Sequence, residues 1–308
     1  MEKVRAALIR IAKTALGDSL PAEMTGKIAK DVISGYDLNI RTGFPDSIPI
    51  SSQIAASAVV DDAIACGRFI SLVERLAVLE REGFMGRTYR IPALRDLLKA
   101  IQAEGFLWDE NTRRFMENPA IRRTPNWGCM LEHEEYRFSL LKVDIVKNSK
   151  LVKRHGEGAA REAYGELRER FTRIVEQRLG RVWKWEGDGG VAAFHYGHSA
   201  TSAALAGMAF LHDLFLFNRT ANDLGEHISV RAASHSGPLV YRASYDDISK
   251  QETAKETAEL EAKRTPADTL CISAAIARSL DRVIIDRFRG EKVDGVPVFL
   301  YGVALEDA

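Results

Sequence analysis

Cysteine is scarce: the 308 residues hold three, Cys66, Cys129 and Cys271, and no Cys-x-x-Cys pair. That excludes a disulfide-built scaffold and a zinc ribbon, and it fits a reducing cytoplasm. An excess of either charge is also missing. Lysine plus arginine and aspartate plus glutamate are both 43, which argues against a basic nucleic-acid binder and against an acidic disordered tail. Long hydrophobic runs are absent. The N-terminal MEKVRAALIRIAK is too short and too charged for a signal peptide. The most apolar later stretch, Ala203–Phe217, carries His212 and Asp213 and falls short of the ~20 residues of a membrane span. It is expected to be a buried helix, and no membrane partner is expected. There is no internal repeat, no low-complexity segment, no His-Glu-x-x-His and no Gly-x-Ser-x-Gly, so zinc hydrolysis and serine nucleophilic catalysis lose their usual signals.

What remains is an ordinary globular composition, 46% hydrophobic and 28% charged, in a chain long enough for two domains. The first part reads as helices. Val4, Leu8, Ile11 and Leu16 share a face before Gly17–Pro21 breaks the pattern, and Ser51 or Ser52 can cap a helix starting near Gln53. Ile64–Arg81 places Phe69, Leu72, Leu76 and Leu79 at helical spacing, and Thr88–Ile101 carries Pro92 in its first turn. Asp109–Trp127, polar and with Pro119 and Pro125, reads as a connector. The expected division is a helical domain over 1–130 and a second domain over 131–308.

The second half changes character. Glu135–Val146 alternates as a strand does, and Ala159–Leu179 is an amphipathic helix that Gly180 terminates. Arg181–Trp185 and Val191–Phe194 flank Glu186-Gly187-Asp188-Gly189-Gly190, a hairpin signal. A helix over Ser199–Phe217 follows, then a strand over His227–Ala233, a turn at Ser236-Gly237-Pro238 and an extended Leu239–Tyr241. Lys250–Lys263 reads as a helix whose balanced charges face solvent. A strand over Thr269–Ser273, a helix over Ala274–Leu280 and a strand over Val298–Val303 complete the order. Such an order implies an α+β sheet with helices on one face.

Two aspartates stand out: Asp144 at the end of the first strand and Asp188 at the hairpin tip. In a ferredoxin-like sheet the first strand is central and can lie beside that hairpin, so both carboxylates project from one end. Paired there, they can hold two divalent cations roughly 3.5–4 Å apart for phosphoryl chemistry. Oxygen ligands favour magnesium or manganese. By spacing alone, an ordinary strand-end turn explains both residues, since Gly-Asp-Gly is a good turn sequence by itself. Alternation puts Tyr136, Phe138, Leu140, Lys142 and Asp144 on one face, with Tyr136 able to stack on a base or to pack in the core, ~26 Å along the strand from Asp144. Trp183 and Trp185 alternate with Lys184 and are expected to bury together on the face opposite it. His195 and His198 read as loop or core residues, and His235 as structural.

The segments LLKVDIVKNSKL (140–151), GRVWKWEGDGGVAAF (180–194) and ISVRAASHSGPL (228–239) together resemble the three signature blocks of the class III nucleotidyl cyclases, in the family's order, over residues 135–303. Lys147 and Asn148 depart from the family's Gly-Phe. The resemblance implies a ferredoxin-like cyclase domain behind the helical one. It implies that Asp144 and Asp188, with the Ile145 carbonyl, bind the two cations, and that backbone amides at Asn148 and Ser149 cradle the triphosphate. Arg231 matches the arginine of the family's Val-Arg-x-x-x-His strand. The product would be a 3′,5′-cyclic nucleotide, formed in a head-to-tail homodimer whose active sites span the interface.

Lys184 stands where adenylyl cyclases carry an adenine-reading lysine. The family's Asn-x-x-x-Arg helix is missing after Tyr245-Asp246-Asp247: no asparagine is present, Glu256 falls near its place, and Lys263 or Arg264 would supply a cation from a shifted position. This altered pocket behind a compact helical domain resembles the Pycsar antiphage cyclases, which make cyclic UMP or cyclic CMP for an effector protein. That resemblance implies uridylate cyclisation, UTP ahead of CTP, in the cytoplasm. An adenylyl cyclase and a silent cyclase-like scaffold remain the alternatives.

Overall fold

The computed structural model describes residues 4–303 except 46, 111–112, 119 and 122–123. Met1–Lys3 of the first expected helix and Pro119 of the expected connector lie outside the described residues. The chain divides into two compact units, Met1–Cys129 and Met130–Ala308.

The first unit is helical, as its periodicity predicts. Its helices are α1 (Ala6–Gly17), α2 (Ala22–Val32), α3 (Leu38–Thr42), α4 (Ser52–Ala65), α5 (Phe69–Glu82) and α6 (Leu94–Ala103). Ser51 caps α4 by accepting the Ile54 N–H. Leu16, Val59, Leu72, Leu76 and Leu97 are fully buried in its core. The single helix expected over Ile64–Arg81 is broken, because Gly67 turns left-handed at φ 70° and separates α4 from α5. Helix α6 begins two residues after Pro92, later than expected. A hairpin, β1 (Phe106–Asp109) paired with β2 (Arg114–Glu117), begins before the expected connector and runs into it. Strands of four residues are too short for alternation to reveal.

The second unit is an α+β domain. In chain order it holds β3 (Glu135–Ile145), α7 (Asn148–Glu176), β4 (Arg181–Glu186), β5 (Gly189–Phe194), α8 (Ser199–Thr220), β6 (Val230–Val240), α9 (Tyr245–Ile248), α10 (Glu252–Arg264), β7 (Thr269–Ser273), α11 (Ala274–Ala277), α12 (Arg282–Ile285), β8 (Arg289–Val293) and β9 (Val296–Gly302). The sheet order is β4-β5-β3-β6-β7-β9-β8. Its first four strands have the βαββαβ order of a ferredoxin-like sheet. Strand β3 is central, antiparallel to β5 on one side and β6 on the other. Helices α7 and α8 cover one face, where Leu141, Val143, Leu167, Phe171, Ala203, Phe210 and Leu270 form the core.

Several expectations are corrected. Helices do not occupy one face only: α10 covers the other, packing Leu260 against Ala233, Cys271, Val298 and Leu300. Helix α8 is 22 residues long and meets the length and apolarity of a membrane span, but half of that stretch is buried against the sheet and α7. Helix α7 starts at Asn148 rather than Ala159, in two parts joined where Gly156 leaves helical geometry at φ 85°, ψ 159°. The expected turn at Ser236-Gly237-Pro238 is continuous strand. Strand β7 pairs with β6 only over Arg231–Ser234, so Pro238 sits at an edge. Its carbonyl accepts from Thr253 Oγ1 of α10, so its ring nitrogen, on the same side, leaves no β3 hydrogen bond unmade. Trp183 and Trp185 do not share a face. A bulge between Val182 and Lys184 inserts Trp183 as an extra residue, so Trp183 packs on Phe138 while Trp185 packs on Phe171 across the sheet.

Candidate functional site

Strand β3 ends in Asp144 because antiparallel pairing holds it on both sides. Asp144 lies opposite Gly189 of β5 and opposite Arg231 of β6. Asp188 immediately precedes Gly189 in the two-residue turn, and its carbonyl accepts the Ile145 N–H at 3.1 Å. The two aspartates therefore occupy neighbouring strand ends, with Asp188 diagonal to Asp144 across the pairing. The close approach needs glycine. A Cβ on Gly189 would lie 2.6 Å from the Val143 carbonyl and 3.2 Å from Asp144 Oδ1.

Arg231 Nη2 donates to Asp144 Oδ2 at 2.6 Å. The Asp144 side chain is 26% exposed, so its carboxylate is reachable from solvent. The Arg231 Nε lies 2.8 Å from Glu261 Oε1, an ion pair outside hydrogen-bond alignment. The other Glu261 oxygen accepts from Lys142 Nζ at 2.7 Å. Four charges, Asp144, Arg231, Glu261 and Lys142, thus form one chain on the α10 side of the sheet.

Asn148 and Ser149 form the first turn of α7, where helix amides lack intrahelical acceptors. Lys147 precedes them in left-handed backbone, φ 59° and ψ 32°, a conformation that favours glycine. Asn148 Oδ1 accepts from the Tyr164 hydroxyl at 2.5 Å. Burial first, and the Asp188 carboxylate second, raise the Tyr164 pKa, so Tyr164 joins Asn148 to the Asp188 end of the sheet. A cavity of about 500 Å³ opens beside it, lined by Tyr164, Arg161, Arg168, Trp185 and Gly187 among others.

Lys184, re-aimed by the bulge, donates to Asp246 Oδ1 at 2.9 Å and lies 2.9 Å from Glu186 Oε2. The bond to Asp246, then that to Glu186, raises its pKa, and the same lysine lowers that of Asp246. Burial raises the neighbouring Tyr245 hydroxyl. The structure thus brings Asp144, Ile145, Asp188, Arg231, Asn148 and Ser149 to one end of the sheet, with Lys184 farther along β4. Tyr136 is not brought there. It sits at the other end of β3, accepts the Leu131 N–H at 3.0 Å and packs edge-on to His195 and Phe138. Glu256 pairs with His235 Nε2 at 2.6 Å, while His235 Nδ1 meets Ser273. Lys263 pairs with Glu259.

Sequence reasoning missed Asp246, Tyr164 and above all Glu261, which is 1% exposed. The helix expected to be a solvated face buries Thr253, Ala254, Thr257, Leu260 and Glu261. Those positions repeat at helical spacing, so the stripe was readable, and Glu261 falls inside it.

Cation-binding chemistry fits these donors. Two carboxylates at adjacent strand ends and nearby backbone carbonyls are hard oxygen ligands. Among the described residues, no group of three or more His, Cys, Asp or Glu side chains forms a self-sufficient metal cage, so a cation here would need further oxygens from a ligand.

No family model and no curated protein matches the sequence. Solved structures do. The chain is similar to the guanylyl cyclase domain of the RhoGC fusion protein from the aquatic fungus Blastocladiella emersonii, at 16% identity and TM-score 0.48, covering 56% of this chain and 99% of that one. It is similar to the adenylyl cyclase CyaB from P. aeruginosa, at 16% identity and TM-score 0.48, covering 57% and 97%. It is also similar to an adenylate/guanylate cyclase/hydrolase from Silicibacter pomeroyi, at 20% identity and TM-score 0.46, covering 56% and 99%.

Proposed function

We propose that the second unit is a nucleotidyl cyclase domain of the class III type, converting a nucleoside triphosphate to a 3′,5′-cyclic nucleotide and pyrophosphate. The observation that carries this reading is the juxtaposition of Asp144 and Asp188 on paired strand ends, with a glycine between them where a larger residue would not fit. Asp144, the Ile145 carbonyl and Asp188 would hold two divalent cations, magnesium or manganese. Cations held there would supply the charge that acidifies the ribose 3′-hydroxyl and neutralises the triphosphate and the leaving pyrophosphate. The amides of Asn148 and Ser149, at a helix N-terminus, would orient the phosphates. Arg231 holds one Asp144 oxygen, which fixes the direction of the other. Nothing in this scheme requires a side-chain nucleophile.

The substrate we favour is UTP, then CTP, with the cyclic nucleotide signalling to an effector protein in antiviral defence. This rests on the missing Asn-x-x-x-Arg pattern after Tyr245 and on the resemblance of the pocket to the Pycsar cyclases. Tyr136 would serve the base only if supplied across a homodimer, since within one chain it lies far from Asp144. The helical first unit would be a regulatory or adaptor domain, and the chain would work in the cytoplasm. One observation favours a second reading, ATP: the Lys184–Asp246 pair sets a donor beside an acceptor, which complements the N1 and N6 edge of adenine. Incubation with ATP, GTP, CTP and UTP plus Mn²⁺, with products resolved by chromatography, separates them. Cyclic UMP supports the first reading and cyclic AMP the second. Nucleotide binding without any cyclic product refutes both.

A further inference from the structure

We infer that Glu261 is a positioning residue that keeps Asp144 available to a divalent cation by neutralising Arg231. The inference rests on the proposed cyclase reading and adds to it a residue on a different element, helix α10. Arg231 stands 2.6 Å from Asp144 Oδ2. A guanidinium that close, acting alone, cancels the carboxylate charge and opposes a second cation. It does not act alone here. Glu261 Oε1 lies 2.8 Å from Arg231 Nε, and Glu261 Oε2 lies 2.7 Å from Lys142 Nζ. The Glu261 side chain is 2% exposed, so solvent screens it little, and a buried carboxylate persists only where cations compensate it.

The four groups sum to zero charge, two acids against two bases. Asp144 is the member at the strand end, with Oδ1 toward the Asp188 hairpin. Glu261 therefore sets the local potential in which Asp144 meets an incoming ion, and Lys142 tempers it from the other side. Removing the Glu261 charge leaves the network net positive and weakens cation binding. Removing the Lys142 charge leaves it net negative and strengthens cation binding. A purely structural role gives no such opposition of sign, because damage to the sheet–α10 packing weakens binding in either case.

The test is Mn²⁺ affinity of the full chain, measured by calorimetry and by the electron paramagnetic resonance signal of free Mn²⁺, without substrate. E261Q is expected to bind about tenfold more weakly, ~1.4 kcal/mol. K142Q is expected to bind severalfold more tightly, and E261Q/K142Q, whose remaining pair is again neutral, close to wild type. Wild-type affinity in both single variants, or weakening in both, overturns the inference. Should E261Q not fold, K142Q alone decides, since tighter binding supports the inference and unchanged or weaker binding overturns it. D144N separates the two levels. If D144N binds Mn²⁺ as wild type does, the cation site itself is refuted and the inference falls with it. If D144N loses binding while E261Q and K142Q match wild type, only the role of Glu261 is refuted.

Discussion

Substituting Gly189 by alanine adds one methyl group at the narrowest point of the site. The new Cβ would stand 2.6 Å from the Val143 carbonyl, whereas ordinary contact begins at 3.4 Å, so β3 and the hairpin must part by roughly 0.8 Å. Neither neighbour can yield cheaply. The Val143 carbonyl is backbone of the central strand, and Asp144 Cα is a further 3.3 Å contact. Overpacking of this kind costs typically ~1–3 kcal/mol. The displacement also separates Asp188 from Asp144, and a misplacement approaching ~1 Å costs about 100-fold in rate. Gly187, two residues earlier in the turn, is the control. Its φ is 58°, but a Cβ there meets nothing within 4 Å, so alanine adds only left-handed strain of about 1–2 kcal/mol and leaves the strand ends together. The assay is thermal unfolding, Mn²⁺ binding and nucleotide turnover on the same preparations. Gly189→Ala should lose stability, cation affinity and turnover, and Gly187→Ala stability alone. A Gly189→Ala variant equal to wild type in all three refutes the reasoning.

Further outcomes concern groups outside the site. Glu74 of α5 accepts the Phe115 N–H at 2.7 Å, yet burial, the larger effect, pushes its carboxyl from 4.5 up to about 7. An acid whose pKa is raised on folding stabilises least when ionised. The first unit should therefore lose stability as pH rises from 4.5 through 7, by up to ~3 kcal/mol, then level off. Denaturation across that window should show the loss in wild type and not in Glu74→Gln; equal slopes refute it. Burial also pushes the Cys271 thiol up to about 11, while Cys66 is exposed. A disulfide reagent at pH 8 should label Cys66 in the native protein and Cys271 only after denaturant is added, as peptide mapping will report.

Long, regular elements were legible in the residues, and interrupted ones were not. Strand β3 alternates toward its end, where Leu141, Val143 and Ile145 are buried and Lys142 and Asp144 are not, so its span and the placement of Asp144 could be read; its middle, Phe138–Leu141, is buried on both faces. The hairpin around Asp188 carries its own glycines and was equally plain. Misreadings arose where tertiary contacts override a local signal. Ser236-Gly237-Pro238 has turn chemistry, but Thr253 and the strand edge let it stay extended. The bulge at Trp183 reverses alternation within β4, which no periodicity argument can anticipate. The stripe of α10 that includes Glu261 was readable from its spacing, but the partners Glu261 meets, Arg231 and Lys142, lie on other strands and no local pattern announces them.

Whether Asp144 and Asp188 act together on divalent cations is tested most directly by titrating Mn²⁺ into the wild-type chain, Asp144→Ala and Asp188→Ala while following turnover of UTP and thermal unfolding. Each variant should unfold close to wild type and lose both cation binding and turnover. Either variant turning over nucleotide at a near-wild-type rate, with Mn²⁺ bound as before, contradicts the site.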